Sequence, residues 1–464
     1  MEKDSKKQPK FTITTLGCKV NQYESGEIAK GLVDSGYTRI DNTVSSDNGT
    51  AEVCIINTCT VTHKASMQSR QAIRQAVRNH PDAEIVVTGC YAQTEPQAIQ
   101  KIEGVHRIVP HRDKHRIPAI VSGLPNSSAA IPDKHTVQNQ LDIPFPMISP
   151  SDAGTRRTRP FLKIQDGCDA FCTYCIVPHA RGSSRSMSPK MVLEQLQGVK
   201  RAGYREVVLT GIHLGRYGHD LQPPTTLFDL LQQAKQHHCI DRLRLSSIEP
   251  LELSADIIRL AAESESTHDE ICRHFHIPLQ SGDDTILKKM RRPYRRKAFR
   301  DLVHTIRKAI PDAGIGADVL IGFPGETDEA FERTYSLIRE LPLTYLHVFP
   351  FSPREGTPAN RFPGKIPQKV IKERCRRVRE LGMRKKKAFL ENQIGRSAVV
   401  LVENRRDRDT ALLKGITSNY ITVLTAGNDD LMNTFQEIRL DRLHDDQSLS
   451  GKILNPNIEI QNKS

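Results

Sequence analysis

A chain of 464 residues is too long for one ordinary hydrophobic core, and at about 150 residues per domain it divides into about three. No apolar run approaches the roughly 18 residues that span a bilayer, and the hydrophilic start at residues 1–10 lacks the apolar core of a signal peptide, so an integral membrane or secreted protein is excluded and a cytoplasmic one expected. A formal net charge of +13 favours a polyanionic partner, and ten cysteines in a reducing compartment favour metal binding over a disulfide framework.

From residue 11 to about 112, short apolar stretches alternate with helical patterns: Phe11 to Leu16, Ile28 to Val33, Val53 to Ile56, Ile73 to Val77 and Ile85 to Val87. This β/α punctuation predicts a small parallel-sheet domain. Between about 122 and 158 the chain is rich in Pro, Ser, Asn and Asp without periodicity, which predicts a linker. The alternation then resumes. Ser188 is a predicted N-cap with Pro189 at the first helical position, and Val192, Leu193, Leu196 and Val199 line one helix face before the strand Val207 to Leu209. The pattern recurs at Leu227 to Ala234 then Leu243 to Ile248, Ile257 to Ala262 then His274 to Leu279, Phe299 to Ile310 then Ala317 to Ile321, and Phe331 to Leu341 then Leu346 to Phe349. About six such units predict a partial (β/α) barrel with its site at the carboxyl ends of the strands. Ala398 to Val402, Ala411 to Leu413, Tyr420 to Leu424 and Thr434 to Leu440 read as β-segments of a small all-β barrel.

Two basic knots stand out. Residues 361–387 carry 12 Lys or Arg against 2 acids, and Arg291, Arg292, Arg295, Arg296, Lys297 and Arg300 form the second. Each reads either as a solvated helix face or as a nucleic-acid surface, and the pair favours nucleic acid. From Glu391 to Ser464 there are 9 basic and 11 acidic residues, so the C-terminal region is not basic overall.

The run Gly167-Cys168-Asp169-Ala170-Phe171-Cys172-Thr173-Tyr174-Cys175 places three cysteines in a CxxxCxxC spacing just after the strand-like Phe161 to Ile164. A cubane iron-sulfur cluster normally takes four thiolates, so three leave one iron open. The alternatives are a zinc site or three core cysteines. Zinc prefers four ligands in CxxC or Cys/His pairs, and His179 follows a proline at unsuited spacing. The spacing resembles that of the radical S-adenosylmethionine (SAM) enzymes, in which SAM chelates the open iron and is cleaved to a 5′-deoxyadenosyl radical.

A second set stands in the first domain: Cys18 in Leu-Gly-Cys-Lys-Val-Asn, Cys59 in Ile-Asn-Thr-Cys-Thr-Val and Cys90 in Thr-Gly-Cys-Tyr-Ala-Gln. Each follows a strand candidate. The carboxyl ends of parallel strands share one sheet edge, so three thiols spread over 72 residues of sequence can converge there. Taken singly, each reads as a buried cysteine. Cys54, Cys239, Cys272 and Cys375 show no partner spacing and read as packing.

Together with Leu209 to Gly215, Ser246 to Pro250, His276 to Gly282 and Gly322 to Thr327, these segments resemble the methylthiotransferase family of radical SAM enzymes along nearly the whole chain. The resemblance implies an α/β architecture: an N-terminal parallel-sheet methylthiotransferase domain carrying an auxiliary cluster (9–121), a linker (122–155), a central partial (β/α) radical SAM barrel (156–388) and a C-terminal all-β TRAM barrel (391–459). The wording Cys18-Lys19-Val20-Asn21-Gln22-Tyr23-Glu24-Ser25, Asn57 to Thr62, and Gly211-Ile212-His213-Leu214-Gly215 followed by Tyr217-Gly218 is most similar to the branch that acts on N6-threonylcarbamoyladenosine at position 37, beside the tRNA anticodon. Relatives in eukaryotes carry a membrane tail, which the polar end 455–464 lacks.

The resemblance implies two 4Fe-4S clusters, one on Cys18, Cys59 and Cys90 and one on Cys168, Cys172 and Cys175, with SAM as both methyl donor and radical source. The C2-H of adenine has no useful acidity for acid–base catalysis, which is why a radical is needed. Tyr174, Gly211 and Glu249 are candidate SAM contacts, while His213, Gln280 and Glu326 sit at strand ends without an assigned role. The implied partners are the tRNA anticodon stem-loop and a reducing protein such as flavodoxin or ferredoxin. The alternatives are methylthiolation of a ribosomal-protein aspartate or of isopentenyladenosine in tRNA and, outside the enzymes, an RNA-binding or electron-carrying iron-sulfur protein.

Overall fold

The computed structural model describes residues 8–40, 50–123, 157–264, 270–445 and 447–454. All but the first two residues of the expected 122–155 linker, and the polar end 455–464, lie outside them. The chain forms two compact units.

The first unit is built on a five-stranded, all-parallel sheet of β1 (Lys10–Thr15), β2 (Thr38–Arg39), β3 (Val53–Thr58), β4 (Glu84–Gly89) and β5 (Arg107–Ile108), in the order β2-β1-β3-β4-β5. Its helices include α1 (Lys19–Asp34), α2 (His63–Asn79) and α3 (Cys90–Thr94). The strand sequences explain the layering, because alternate residues serve opposite faces. On one face Cys54, Ile56, Ile85 and Val87 pack with Ile73 of α2 and Tyr91 of α3. On the other, Phe11, Val53, Ile55 and Val86 pack with Ile28, Ala29 and Leu32 of α1. A sheet covered on both sides needs nearly continuous apolar strands, and β3 is buried at all six positions. Thr62 starts α2 by accepting the Ala65 N–H at 3.1 Å. The same unit includes two later segments, Gln165–Arg185 and Ser352–Asn360.

The second unit holds two further parallel sheets. Phe161–Lys163, Glu206–Thr210, Arg242–Leu245 and Glu270–Ile271 form one. His274–His276, Gly314–Ile321 and Tyr345–Pro350 form the other, and only Cys272 and Arg273 separate the two in sequence. Helices Pro189–Arg201, Leu227–Gln236, Ala255–Ala262, Arg296–Ala309 and Asp328–Glu340 fall between strands as the periodicity predicts. Ser188 caps the first of them by accepting from Met191, with Pro189 leading the helix.

Past the long helix Gln368–Glu391, five strands close into a barrel: Ser397–Arg406, Leu413–Thr417, Thr422–Thr425, Phe435–Leu443 and Leu449–Ile453. Leu390, Val400, Ile421, Val423, Ile438, Leu440 and Leu449 fill it. The closing strand, Leu449–Ile453, was not among the segments expected from sequence, since Ser450, Gly451 and Lys452 give it little apolar pattern. The barrel is seated on the sheet by Arg244, whose guanidinium donates to the carbonyls of Thr417 (3.0 Å) and Ser418 (2.9 Å) while Glu206 holds it from below at 2.7 Å.

Candidate functional site

Cys18, Cys59 and Cys90 lie at the carboxyl ends of β1, β3 and β4, three neighbouring parallel strands. Cys18 caps α1, Cys59 directly follows β3, and Cys90 opens α3. The glycines before Cys18 and Cys90 have positive φ, +97° at Gly17 and +98° at Gly89, which lets each chain turn sharply out of its strand. A Cβ on Gly17 would stand 2.8 Å from the Cys59 sulfur. That close approach brings the first two cysteines together, and the three thiols interact electrostatically with one another. Burial pushes the Cys59 thiol up to about 12, with Cys90 adding to the rise, and burial also raises Cys90 itself. Such thiols bind metal with release of protons. Three thiols at neighbouring strand ends are the donor type that an iron-sulfur cluster takes.

Cys168, Cys172 and Cys175 lie in the loop Gly167–Gly182 of the same unit, which the Cys168 N–H closes by donating to the Gly182 carbonyl at 3.0 Å. The Cys175 N–H donates to the Cys172 carbonyl at 3.0 Å, and the Ala170 N–H reaches the Cys168 sulfur at 3.5 Å. Tyr174 is half-buried in this turn. The helix Val177–Arg181 that follows packs against α3. Cys54, Cys239, Cys272 and Cys375 are all buried in the cores, as packing predicts.

Sequence reasoning missed the group between these trios. Arg181, 1 % exposed, donates through Nη1 to Glu24 Oε1 (2.8 Å) and Asp166 Oδ1 (2.9 Å), and through Nη2 to Asn21 Oδ1 (2.6 Å) and Glu24 Oε2 (3.2 Å). Lys114 Nζ donates to Glu24 Oε2 at 2.6 Å, and Arg185 Nη2 reaches Asp166 Oδ2 at 3.3 Å. His111 Nε2 lies 3.4 Å from the same Asp166 oxygen. Burial, reinforced by the Arg181 and Lys114 charges, carries His111 down to about 4, so it is neutral at physiological pH. Asn21 and Glu24 belong to the Cys-Lys-Val-Asn-Gln-Tyr-Glu segment, but the sequence gives no sign that a cation 157 residues beyond Glu24 pairs with them.

In the second unit, Gly211 follows the strand Glu206–Thr210 and Glu249 follows Arg242–Leu245. Glu249 accepts a hydrogen bond from Arg292; burial raises its carboxyl although that cation acts the other way. His213 Nε2 lies 2.9 Å from Glu252. Gln280 holds a positive φ of 59° and donates its N–H to the Asp318 carbonyl at 2.8 Å. Glu326 accepts from Arg374 at 2.5 Å and is buried, which marks a packing role.

One face of the three-stranded sheet is polar. Asp318 and His347 are register partners, with His276 one strand over. Asp318 Oδ1 lies 2.8 Å from His276 Nε2 and 3.3 Å from His347 Nδ1, and the Tyr345 hydroxyl sits 3.0 Å from His276 Nδ1 and 2.8 Å from His274 Nε2. Burial alone would raise Asp318, but the hydrogen bonds from the two histidines outweigh it and carry the carboxyl down to about 2. Beside this face a cleft of about 590 Å³ opens between the two free sheet edges, Arg159 preceding one edge strand and Tyr345 and His347 lying on the other. Arg379 and Lys386 of the long helix, and Arg405, Lys414 and Tyr420 of the barrel, form its rim. Glu403, the one acid lining it, is held by Arg159 at 2.7 Å.

Several side chains of the basic knots are tied to partners within the chain, most of them at the surface. Arg374 is buried against Glu326 and Asp328, Arg376 is tied to Glu373 and Glu380, Arg377 to Glu332, and Lys385 donates to the Arg339 and Leu341 carbonyls. In the second knot Arg292 pairs with Glu249, Lys297 with Asp301 and Arg300 with Glu340. The sequence count of charge therefore overstates the free basic surface.

Residues 10–110 match the profile described as "Uncharacterized protein family UPF0004" and residues 162–338 that of the "Radical SAM superfamily". The chain is 38 % identical over 433 residues to the threonylcarbamoyladenosine tRNA methylthiotransferase MtaB of Bacillus subtilis, covering 92 % of each chain. It is 35 % identical to the Aquifex aeolicus protein of the same name (90 % and 97 % covered), and 30 % identical to the tRNA-2-methylthio-N(6)-dimethylallyladenosine synthase of Protochlamydia amoebophila (93 % of each). Among solved structures, the radical SAM methyltransferase TsrM of Kitasatospora setae, with cobalamin and a [4Fe-4S] cluster bound, shares the fold at a TM-score of 0.56 and 15 % identity, over 76 % of this chain and 77 % of that one. No described helix is long and apolar enough to cross a membrane. With the thiols gathered as they are and identity running through nine-tenths of both chains, the protein belongs to the MtaB-type methylthiotransferases of the radical SAM superfamily.

Proposed function

We propose that this enzyme attaches a methylthio group to C2 of N6-threonylcarbamoyladenosine at position 37 of tRNA, in the cytoplasm, consuming one SAM as methyl donor and one as radical source and drawing electrons from a small reducing protein. The observation that carries it is the gathering of Cys18, Cys59 and Cys90 at one sheet edge, in the compact unit that also contains the CxxxCxxC loop. In this reading Cys18, Cys59 and Cys90 hold the auxiliary cluster, and Cys168, Cys172 and Cys175 the SAM-binding one. When bound, the two clusters and SAM supply the sulfur and the carbon-centred radical that an inert C–H bond requires. The chain's own residues orient and shield. Cys59 and Cys90 are buried and Cys18 is exposed, so the auxiliary site is walled on the sheet side and open on the side of Cys18. Tyr174, Gly211 and Glu249 serve SAM, Glu249 with its carboxylate held in place by Arg292.

The parallel sheets of the second unit read together as a partial (β/α) barrel, and the closed five-stranded barrel as a TRAM domain. The cleft between the two sheet edges then takes a segment of the anticodon stem-loop. Arg379, Lys386, Arg405 and Lys414 meet phosphates, and Tyr420, stacked on His274 at 4.4 Å and 43 % exposed, adds aromatic surface to the wall.

Nucleoside mass spectrometry of tRNA from cells with and without the protein tests the substrate. Loss of 2-methylthio-threonylcarbamoyladenosine supports the proposal; loss of the methylthio form of isopentenyladenosine instead refutes it. Replacement tests the division of labour. Cys175→Ala is expected to abolish 5′-deoxyadenosine formation, whereas Cys59→Ala should leave SAM cleavage running without sulfur transfer; equal loss in both would count against it.

A further inference from the structure

We propose that Arg181 is a positioning residue that couples the two cysteine trios: its guanidinium clasps the CxxxCxxC loop to the helix opened by Cys18, and its charge favours reduction of the auxiliary cluster. The inference rests on the cluster assignment above. Arg181 lies beside Gly182, whose carbonyl receives the Cys168 N–H, so the residue that closes the CxxxCxxC loop is next in the chain to the clasp. Its other partner on that loop, Asp166, stands two residues before Cys168. On the opposite side Asn21 and Glu24 sit on the first turns of α1, three and six residues after Cys18. One planar fork with four bonds therefore fixes the spacing of two loops that each begin with a glycine and a cysteine. A lysine cannot reproduce that geometry.

The charge balance gives the clasp a second role. The knot contains two carboxylates, Glu24 and Asp166, and three cations, Arg181, Lys114 and Arg185, while His111 is neutral. Within this set the cations outnumber the carboxylates by one, in a buried place where charge is costly to leave unbalanced. The Cys18 and Cys90 thiols interact electrostatically with Arg181, and the Cys59 thiol feels it too. A cubane with a 2+ core and three thiolates carries one net negative charge, and two after it accepts an electron. The knot thus complements the cluster, and favours the reduced form most. Net charge near a cluster is among the terms that set its potential.

The test uses the full chain with Cys168, Cys172 and Cys175 changed to Ala, so that only the auxiliary cluster is loaded, titrated anaerobically with dithionite and followed by electron paramagnetic resonance. Arg181→Met should move the reduction equilibrium about tenfold towards the oxidised form, a potential about 59 mV more negative for one electron. Glu24→Gln, which removes an anion from the same knot, should move it the other way. Arg181→Lys should keep the potential near the parent's. In the enzyme with all six cysteines, however, it should lower the ratio of methylthiolated nucleoside to 5′-deoxyadenosine, because the fork is lost. Opposite shifts in Arg181→Met and Glu24→Gln support the proposal, since loosened packing would move both alike. Unchanged potentials, or shifts of the same sign, overturn it. Should Arg181→Met take up no iron, Glu24→Gln and Arg181→Lys decide: an unmoved Glu24→Gln potential overturns the charge role. A parent triple variant that binds no cluster removes the cluster assignment, and the coupling falls with it; a loaded one that ignores both substitutions overturns the coupling alone.

Discussion

Gly89→Ala tests how the sheet edge delivers Cys90. Gly89 sits at φ 98°, ψ −172°, in a region populated essentially by glycine, where another residue costs about 1–3 kcal/mol. The added Cβ would stand 2.6 Å from the Thr58 backbone nitrogen and 2.7 Å from Asn57 Oδ1. Thr58 is the register partner of Gly89 across β3 and β4, so the obstacle is the sheet itself and not a side chain that can swing aside. Forcing atoms into a packed interior adds about 1–3 kcal/mol. The combined cost, about 4 kcal/mol at the middle of both ranges, is below the 5–15 kcal/mol of a typical domain. The chain should therefore stay folded while the end of β4 shifts away from β3 and carries Cys90 out of line. Gly36→Ala is the matched control, since φ is +89° there but nothing lies within 4 Å of the new Cβ; it should cost only the backbone part, about 1–2 kcal/mol. Denaturant unfolding of the cluster-free chains measures the first quantity, and iron per chain after anaerobic reconstitution measures the second. Gly89→Ala should fall from about eight irons to about four, as expected for two cubanes reduced to one, and Gly36→Ala should keep about eight. Equal unfolding costs in the two variants, with full iron in both, would refute the argument that this turn places the ligand.

Three further outcomes are expected. His111 has its folded value at about 4 against an ordinary 6.5, so the stability it lends is complete above pH 6.5 and is lost as pH falls through 4, amounting to about 3 kcal/mol; urea unfolding at pH 7 and pH 4 should show this slope, and His111→Gln should flatten it. Cys59 is shifted the other way, from 9.0 to about 12, so its contribution to the cluster-free chain is complete below pH 9 and fades as pH rises towards 12. Cluster uptake needs the thiolate and should quicken between pH 7 and pH 9 with proton release, which an indicator dye in weak buffer can follow. In the cleft, reversing Lys414 and Arg405 to Glu should weaken binding of an anticodon stem-loop and lower its log–log salt slope by about 1.4, the value for two phosphates on a single strand. Arg376→Gln should leave the slope alone because Glu373 and Glu380 already hold that side chain.

Much of the fold was legible because its periodicities are clean. The alternation of Val53, Ile55 against Cys54, Ile56 gives a strand covered on both sides, and the 3.6-residue spacing of Val192, Leu196 and Val199 gives a helix with one buried face. The six cysteines stood out because cysteines that follow apolar strand candidates and a CxxxCxxC spacing are local patterns. The partners that organise them are not local. Arg181 meets Glu24 across 157 positions, and Lys114 meets the same carboxylate across 90. The strand Arg242–Leu245 is legible from Leu243 onward, but two arginines alternate with its leucines. Those arginines are nevertheless fully buried, neutralised by Glu206 and Glu270 on the adjacent strands. Pairing between residues far apart in sequence leaves no mark on hydropathy, so these residues are indistinguishable in sequence from a solvated basic face.

The same buried arginines leave the net charge as it is, because the acids that pair with them are counted too, but they change where the positive side chains lie. Arg181, Arg242, Arg244, Arg354 and Arg374 all count towards the formal +13, yet each is buried, so none is available to a phosphate. In the proposed reading, the cations that meet RNA are those that line the cleft, and Arg405 and Lys414 supply two of them from a barrel region whose own balance is −2. Net charge governs encounter over distances beyond a Debye length of about 8 Å only weakly at physiological salt, whereas a few cations on a concave wall act at contact range. It follows that shifting overall charge at remote exposed positions, such as Lys387 beside Glu391, should alter RNA affinity far less than moving one charge within the cleft.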